Sequence, residues 1–161
     1  MTFNSSMTIC FVSLAALGTA LLAQYWGGLV PCELCIAQRW PYVATAVVGL
    51  AGAMLPLTDR QRAQAVALAA LIFLVGAGIA LYHAGFEYHW WAGPQACTAA
   101  GGQPTSIEDL RRMLAAAPIV ACDQPAWTLY GVSMAGFNVV ASAVLAALSG
   151  QAALQLWRKS A

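Results

Sequence analysis

The sequence predicts an all-α membrane protein: a four-transmembrane-helix bundle with a short surface helix in the long loop that we expect in the periplasm. Of its 161 residues, 61% are hydrophobic and only 8% are charged, whereas about a quarter of the residues of a soluble domain carry charge. One membrane span takes about 20 apolar residues, so the chain has enough of them for about four spans. A single domain over residues 1–161 is therefore expected.

Four apolar runs provide the predicted spans. They extend over Met7 to Trp26, Tyr42 to Leu57, Ala65 to Phe86 and Trp127 to Leu148. The first run resembles a cleaved signal peptide in its position, but it lacks a basic start and exceeds the usual apolar region, so we expect it to be retained. A charged loop at residues 58–62 separates the second and third runs, and four spans put both termini on one side.

Small residues four positions apart allow two membrane helices to approach closely. We therefore expect helix contacts at the pairs Gly49 and Ala53, Gly131 and Ala135, and Ala143 and Ala147.

The only long polar stretch, residues 87–126, contains the predicted surface helix. Thr105 to Glu108 has the form of a capping box, and Ile107, Leu110 and Leu114 lie at helical spacing. Such a helix lies on the membrane surface or packs against the bundle, and the sequence does not separate the two. In either case it holds the loop close to the bilayer.

Basic residues predict the orientation in a bacterial inner membrane, because positively charged loops favour the cytoplasmic side. The side with both termini has Arg60, Arg62, Arg158 and Lys159, against Arg39, Arg111 and Arg112 on the other. We therefore expect both termini to be cytoplasmic and the long loop to be periplasmic. The difference in charge is small, and the cysteines support the same orientation.

The functional prediction depends mainly on the cysteines. Four of the five lie in segments on the expected periplasmic side, where disulfides form and persist; they are Cys32, Cys35, Cys97 and Cys122. Cys10 lies inside the first span, where it is most simply a small apolar residue.

Cys32 and Cys35 form a Cys-x-x-Cys motif at the mouth of the second span. Backbone N–H groups at the start of a helix favour a thiolate at Cys35, which makes it a nucleophile. Arg39 lies four residues further on, one helical turn deeper, where its guanidinium can stabilise an anion. Pro41 is awkward for a helix that begins this early, so the helix start stays open.

The motif has two other interpretations, a structural disulfide and half of a zinc site. A zinc site would draw its other ligands from the second cysteine pair or from the histidines His83 and His89. Zinc sites usually hold two of their ligands on a short knuckle, whereas a long segment lies between the two cysteines of the second pair. We therefore predict no metal.

Cys97 and Cys122 bracket the predicted surface helix, and a disulfide between them would close the long loop. Such a disulfide is reachable by an external thiolate, and the first pair nearby could resolve the product by exchange. A static staple is the commoner role of a loop disulfide considered alone.

Other polar residues are weaker candidates. His83 lies near the outer end of the third span, where an ionisable group is costly and often marks a site, although an interfacial histidine without a function fits equally well. Glu87 and His89 are expected in a wet region beyond the span. Asn138, in the fourth span, is expected to bond between helices and to lie outside the site.

Several segments together resemble the DsbB family of disulfide bond formation proteins over nearly the full length of the chain. They are Pro31 to Arg39, Tyr82 to Glu87, and Cys122-Asp123 followed by Trp127 and Gly131 to Asn138. The vitamin K epoxide reductase family uses similar chemistry on four helices, but its loop cysteines precede its Cys-x-x-Cys, the reverse of the order here.

The resemblance implies a relay that reoxidises a periplasmic, DsbA-like protein of the thioredoxin fold. The thiolate of that partner would attack Cys97, and electrons would pass by exchange to Cys32 and Cys35. Cys35 would then reduce a membrane quinone, ubiquinone or menaquinone, that Arg39 and His83 help to bind.

Two other classes compete with this hypothesis. A membrane scaffold would carry the same disulfides as inert structural links, and a metal-binding membrane protein would lose bound zinc on acidification. Nucleic-acid binding is excluded, because the net charge is +1 and the seven Lys and Arg residues form no basic patch.

Overall fold

The computed structural model describes residues 2–92, 106–108, 111 and 121–160. The helices and strands in these residues are α1 (Thr2–Tyr25), α2 (Glu33–Ala37), α3 (Arg39–Met54), α4 (Asp59–Glu87), β1 (Thr128–Leu129), β2 (Val132–Ser133) and α5 (Met134–Ser160). Most of the expected surface helix lies outside the described residues and stays a prediction.

Among the described residues, three helices are long and apolar enough to cross a membrane, at Ser5–Tyr25, Asp59–Glu87 and Met134–Ser160. Helix α3 occupies the place of the expected second span but has only 16 residues. At 1.5 Å per residue it is about 24 Å long, against a hydrocarbon core of about 30 Å. The structure thus confirms a mostly helical protein with three helices that could span a membrane, and the fourth crossing stays a prediction.

Aliphatic side chains cover the outside of the long helices. Leu71 and Leu74 on α4 are each 60% exposed, and Val140 on α5 is 62% exposed. Continuous apolar surfaces of this kind are disfavoured in water and are typical of helices that face lipid. The interior is built largely from alanines packed around Tyr42 and Phe73.

Contacts near the helix ends define the direction of each helix. The guanidinium carbon of Arg60 lies 4.9 Å from the centre of the Trp157 ring, which brings the start of α4 to the end of α5. A Cβ placed on Gly52 would meet Ser6 Oγ at 2.8 Å, so the start of α1 lies beside the end of α3. Consecutive long helices therefore run antiparallel, and the described cysteine motif lies at the opposite end from both chain termini.

Helices α1 and α3 approach each other as closely as the small residue Gly49 predicts. A Cβ on Gly49 would lie 2.7 Å from the backbone nitrogen of Cys10, so the two backbones are in direct contact. Ser13 and Thr45 share a buried 2.8 Å hydrogen bond in the same interface. Cys10 therefore has the structural position that the sequence indicates.

Helix α5 packs through a different face from the expected one. The predicted contact at Ala143 and Ala147 is wrong, because both side chains are exposed. The buried residues Ala135, Ser142 and Ser149 instead recur every seven positions, or about two helical turns. This face packs mainly on α4.

The last span begins later than expected because the segment before it folds as a hairpin. Strands β1 and β2 are antiparallel, with Thr128 opposite Ser133. Tyr130 and Gly131 in the turn have φ values of 51° and 79°, and two consecutive positive φ values are typical of a type I′ hairpin. Gly131 thus belongs to the turn, and its expected role in helix packing is wrong.

Helix α4 begins earlier than expected, so the charged segment after α3 is its first turn. Thr58 Oγ1 accepts a 3.3 Å hydrogen bond from the backbone N–H of Gln61, and Gln61 Oε1 accepts one of 2.9 Å from the backbone N–H of Thr58. This reciprocal capping box starts the helix at Asp59. The basic residues Arg60 and Arg62 therefore lie on α4, at the end of the bundle that holds the chain termini.

Candidate functional site

The Cys-x-x-Cys motif lies at the start of α2, between the outer ends of α1 and α3. Cys32 is the N-cap residue, and its Sγ accepts a 3.2 Å hydrogen bond from the backbone N–H of Cys35. The two Sγ atoms are 2.9 Å apart, with the Cys32 thiol donating to the Cys35 sulfur. The sequence spacing thus places the two sulfurs in direct contact.

The two thiols are chemically unequal. The hydrogen bond to Cys35, together with burial, raises the pKa of Cys32 to about 12. The same hydrogen bond, received from Cys32, lowers the pKa of Cys35 below its usual value. Cys35 is therefore the more acidic thiol of the pair, and its role as the nucleophile stays a prediction. The cause differs from the expected one, because the helix-terminal N–H group bonds Cys32.

A break after α2 resolves the question of where the helix starts. Helix α2 ends at Ala37 and α3 begins at Arg39. Pro41 therefore lies in the first turn of α3, where the helix needs no N–H donor. Arg39 Nη1 donates a 2.7 Å hydrogen bond to Gln24 Oε1 of α1, which fixes the guanidinium beside the cysteine pair.

His83 of α4 lies against the pair. It is 2% exposed, and its Nε2 is 3.5 Å from Cys32 Sγ. Glu87, one turn further along α4, places Oε1 3.6 Å from the same nitrogen. Glu87 is only 8% exposed, so its expected position in a wet region is wrong: α4 continues past the apolar run and turns Glu87 inward. His89 follows the end of α4 and is exposed.

A chain of buried amides and hydroxyls extends from His83 across the bundle. Gln38 Nε2 lies 2.5 Å from His83 Nδ1, and Asn138 Nδ2 donates a 2.5 Å hydrogen bond to Gln38 Oε1. Tyr42 completes the chain by donating a 2.6 Å bond to Asn138 Oδ1. Asn138 does bond between helices, as expected, but it also belongs to the site. Sequence reasoning missed Gln38, which carries no motif signal of its own.

A cavity of about 200 Å³ opens beside the cysteines. One wall comes from α1 and is largely apolar, with Leu17, Ala20 and Ala23. The polar part of the lining includes both Cys32 and Cys35. Arg39, His83, Glu87, Gln38 and Asn138 also line it. The structure therefore brings both residues proposed for ligand binding, Arg39 and His83, to one cavity.

The second cysteine pair is described only at Cys122. This residue is 1% exposed and forms a buried cluster with Cys32 and Phe86, against which Cys35 also packs. Cys97 lies outside the described residues. Three of the four cysteines proposed for the relay are thus close together, while Cys10 lies in the interface of α1 and α3.

The same side chains include a set with metal-ligand chemistry. The Sγ atoms of Cys32 and Cys35 and a ring nitrogen of His83 all lie within 4.8 Å of one another. The sequence indicates His83 as a metal ligand only in the disfavoured zinc alternative, and the packing of α4 brings it to the cysteine pair.

The antiparallel helices and the buried cysteine pair define a helical membrane protein with a candidate thiol redox centre. The family model described as "Disulfide bond formation protein DsbB" matches residues 4–152. The chain belongs to the DsbB family, and it is a disulfide bond formation protein by that membership.

Curated relatives support the assignment. The chain is 34% identical to a disulfide bond formation protein B of Methylococcus capsulatus over 98% of both chains. It is 29% identical to one of Haemophilus influenzae over 82% of this chain and 75% of that protein. An uncharacterised protein of Rickettsia prowazekii is 27% identical over 84% of this chain and 78% of its own length. No solved structure gives a significant match.

Proposed function

We propose that this protein oxidises the dithiol of a periplasmic, DsbA-like partner with a thioredoxin fold and passes the electrons to a membrane quinone. The observation that carries the proposal is the position of the pair Cys32 and Cys35, with Cys122 packed on it and a cavity beside it. An inert structural disulfide needs neither a second buried cysteine nor a polar cavity at its sulfurs.

Thiol–disulfide exchange accounts for the transfer between the pairs. A partner thiolate attacks Cys97 of the disulfide between Cys97 and Cys122, and the second partner thiolate displaces Cys97 to give the oxidised partner. The resulting dithiol reduces the disulfide between Cys32 and Cys35 by the same two steps. Two electrons and two protons move in total, and the packing of Cys122 against Cys32 supports the second exchange.

Cys35 is the residue proposed to deliver the electrons. Its lowered pKa favours the thiolate, which is the reactive form of cysteine. Cys32, with its pKa raised to about 12, keeps its proton and donates a hydrogen bond to Cys35. The pair is therefore prepared for attack by Cys35 on an acceptor in the cavity.

The cavity fits a quinone head group, because a planar ring with polar ends needs an apolar wall and hydrogen-bond donors. Helix α1 supplies the wall, and the donors proposed are the guanidinium of Arg39 and the imidazole of His83. A bound quinone accepts two electrons and two protons. The apolar wall accommodates ubiquinone and menaquinone alike, so both remain in the proposal.

The proposed location is the bacterial inner membrane, with both termini in the cytoplasm. Four basic residues near one end of the bundle support this orientation by the positive-inside rule, and they are Arg60, Arg62, Arg158 and Lys159. The cysteine motif at the other end then faces the oxidising periplasm.

Quinone reduction by the purified protein with a reduced DsbA-type partner tests the function. We expect the parent to turn over and Cys35→Ser and Cys97→Ser each to lose activity, because each breaks the relay. Cys10→Ser is the matched control and should retain activity, since Cys10 lies away from the cluster. Intact disulfides and no quinone reduction in the parent would support a structural scaffold instead.

A further inference from the structure

We propose that the reduced pair Cys32 and Cys35, together with His83 and Glu87, binds a thiophilic divalent cation such as Zn²⁺ and is held in its reduced state by that cation. The site would thus serve as an inhibitory cation site that only the reduced protein offers. The inference does not depend on the quinone or on the partner, so it stands or fails separately from the proposed function.

The distances among the donor atoms suit a tetrahedral cation. With Zn–S near 2.3 Å and Zn–N near 2.0–2.1 Å, a sulfur and a nitrogen on one zinc lie about 3.5–3.6 Å apart. Cys32 Sγ and His83 Nε2 are already 3.5 Å apart. The two Sγ atoms, now 2.9 Å apart, would separate to about 3.8 Å. Rotation of the Cys35 side chain at the cavity surface can supply this change.

Glu87 provides a second, independent observation. Its side chain is only 5% exposed, and Oε1 lies 3.6 Å from His83 Nε2. Its Oε2 has no hydrogen-bond partner among the residues that the structure describes. A buried carboxylate oxygen without a donor is costly, and a cation beside His83 removes that cost. Glu87 is therefore the proposed fourth ligand.

The charge of the site also favours a cation. Two thiolates and one carboxylate carry three negative charges, which a divalent cation reduces to one. Arg39 lines the same cavity and can offset the remainder. The cavity gives the ion a path to the sulfurs, which an enclosed structural zinc site lacks.

The buried amides can support the histidine as a ligand. A cation on His83 Nε2 requires a proton on Nδ1, which then donates to the neighbouring Gln38 side chain, 2.5 Å away. Each amide offers both a donor and an acceptor. The amide groups of Gln38 and Asn138 can therefore both rotate so that oxygen and nitrogen exchange places, which reverses the direction of their hydrogen bonds. Such partners of ligand histidines strengthen metal binding.

Oxidation removes the site. Forming the disulfide converts both thiolates into neutral sulfurs and loses two ligands at once, so the cation selects the reduced pair. Binding also displaces any proton that the two thiols hold. Affinity should therefore rise with pH, because protons and the cation compete for the same sulfurs.

Co²⁺ titration of the full-length protein in detergent tests the site directly. The protein is reduced, freed of reductant without air and compared with a sample whose cysteine pair is oxidised. We expect a sulfur-to-cobalt charge-transfer band and intense tetrahedral visible bands in the reduced sample, both removed by Zn²⁺. The oxidised sample should show neither. This comparison needs no variant, so a folding defect cannot confuse it.

Variants identify the two ligands outside the motif. We expect His83→Ala and Glu87→Gln each to weaken Co²⁺ binding on the order of 10–100-fold. His89→Ala and Cys10→Ser should bind as the parent does, because these residues lie outside the cluster. No charge-transfer band in the reduced parent, equal binding by the oxidised parent, or parent-like affinity in His83→Ala and Glu87→Gln would each overturn the proposal.

Discussion

At the scale of single residues, the inequality of two adjacent thiols is the main feature of the site. A cysteine at an N-cap position satisfies a backbone donor with its own sulfur and offers its S–H to the second cysteine. The short helix α2 therefore sets which of the two thiols is the more acidic. The position of Cys35 predicts the more acidic thiol, but the contact between the sulfurs and the role of the Cys32 thiol as donor needed the structure.

Cys32→Ala tests this assignment through the reactivity of Cys35. Removing the donor raises the pKa of Cys35 towards its ordinary value, so less thiolate is present at pH 7. Since a higher pKa also makes the thiolate more nucleophilic, alkylation of Cys35 should slow by about threefold for each unit of pKa gained. Iodoacetamide labelling of the reduced protein, read at each cysteine by mass spectrometry over a range of pH, measures the effect.

The control is Cys10→Ser, in which the rate at Cys35 should equal that of the parent. An unchanged or faster rate in Cys32→Ala would show that the Cys32 thiol does not stabilise the Cys35 thiolate.

The residues missed from the sequence share one physical cause. Gln38 lies between two helices, and Glu87 lies just beyond an apolar run. The local sequence pattern therefore predicts burial for neither residue. Their burial depends on contacts among α3, α4 and α5, which are distant in the chain. His83 and Arg39, in contrast, were predictable because an ionisable group at membrane depth or beside a reactive cysteine is unusual on any face.

At the scale of helices and strands, the apolar runs predict the long helices but do not predict the hairpin of β1 and β2. Strands β1 and β2 are apolar enough to be read as part of the last span. Only the Tyr130-Gly131 turn, with its positive φ values, distinguishes the segment. Tyr88 then holds the hairpin on α4: its hydroxyl donates to the Gly131 carbonyl at 3.0 Å and accepts from the Ser133 N–H at 2.9 Å.

Gly49→Ala tests the contact of α1 and α3. An added Cβ would lie 2.7 Å from the backbone nitrogen of Cys10, which cannot move as a flexible side chain can. We expect a loss of about 1–3 kcal/mol in stability from overpacking. Thermal unfolding in detergent measures it.

Gly78→Ala is the matched control, because a Cβ on this helical glycine meets no atom within 4 Å. It should be neutral or slightly stabilising, since alanine favours a helix over glycine. Equal destabilisation of the two variants would contradict the close helix contact.

At the scale of the whole molecule, the topology depends on whether the 16-residue helix α3 crosses the membrane. Reporter cysteines in the segments before α2 and after α3 decide it. We expect Val30→Cys and Leu55→Cys, each in a Cys10→Ser background with the native pairs oxidised, to be labelled from opposite sides of intact cells. Both side chains are exposed, at 59% and 51%.

The proposed orientation also predicts which of the two positions is labelled from outside the cell. A membrane-impermeant maleimide should label Val30→Cys from the periplasm and reach Leu55→Cys only after the cells are opened. Labelling of both positions from outside would mean that α3 turns back without crossing, and labelling of Leu55→Cys alone would mean that the protein is inverted.

The close fit of α1 against α3 has a consequence for how the chain enters the membrane. Helix α3 is short for independent insertion, and its Thr45 hydroxyl shares a buried hydrogen bond with Ser13 of α1 across the interface. The two helices are joined by residues 26–38, which include α2, and they meet backbone to backbone at Gly49. We therefore expect nascent α1 to wait at the translocation channel and to partition into lipid together with α3 as one helical hairpin.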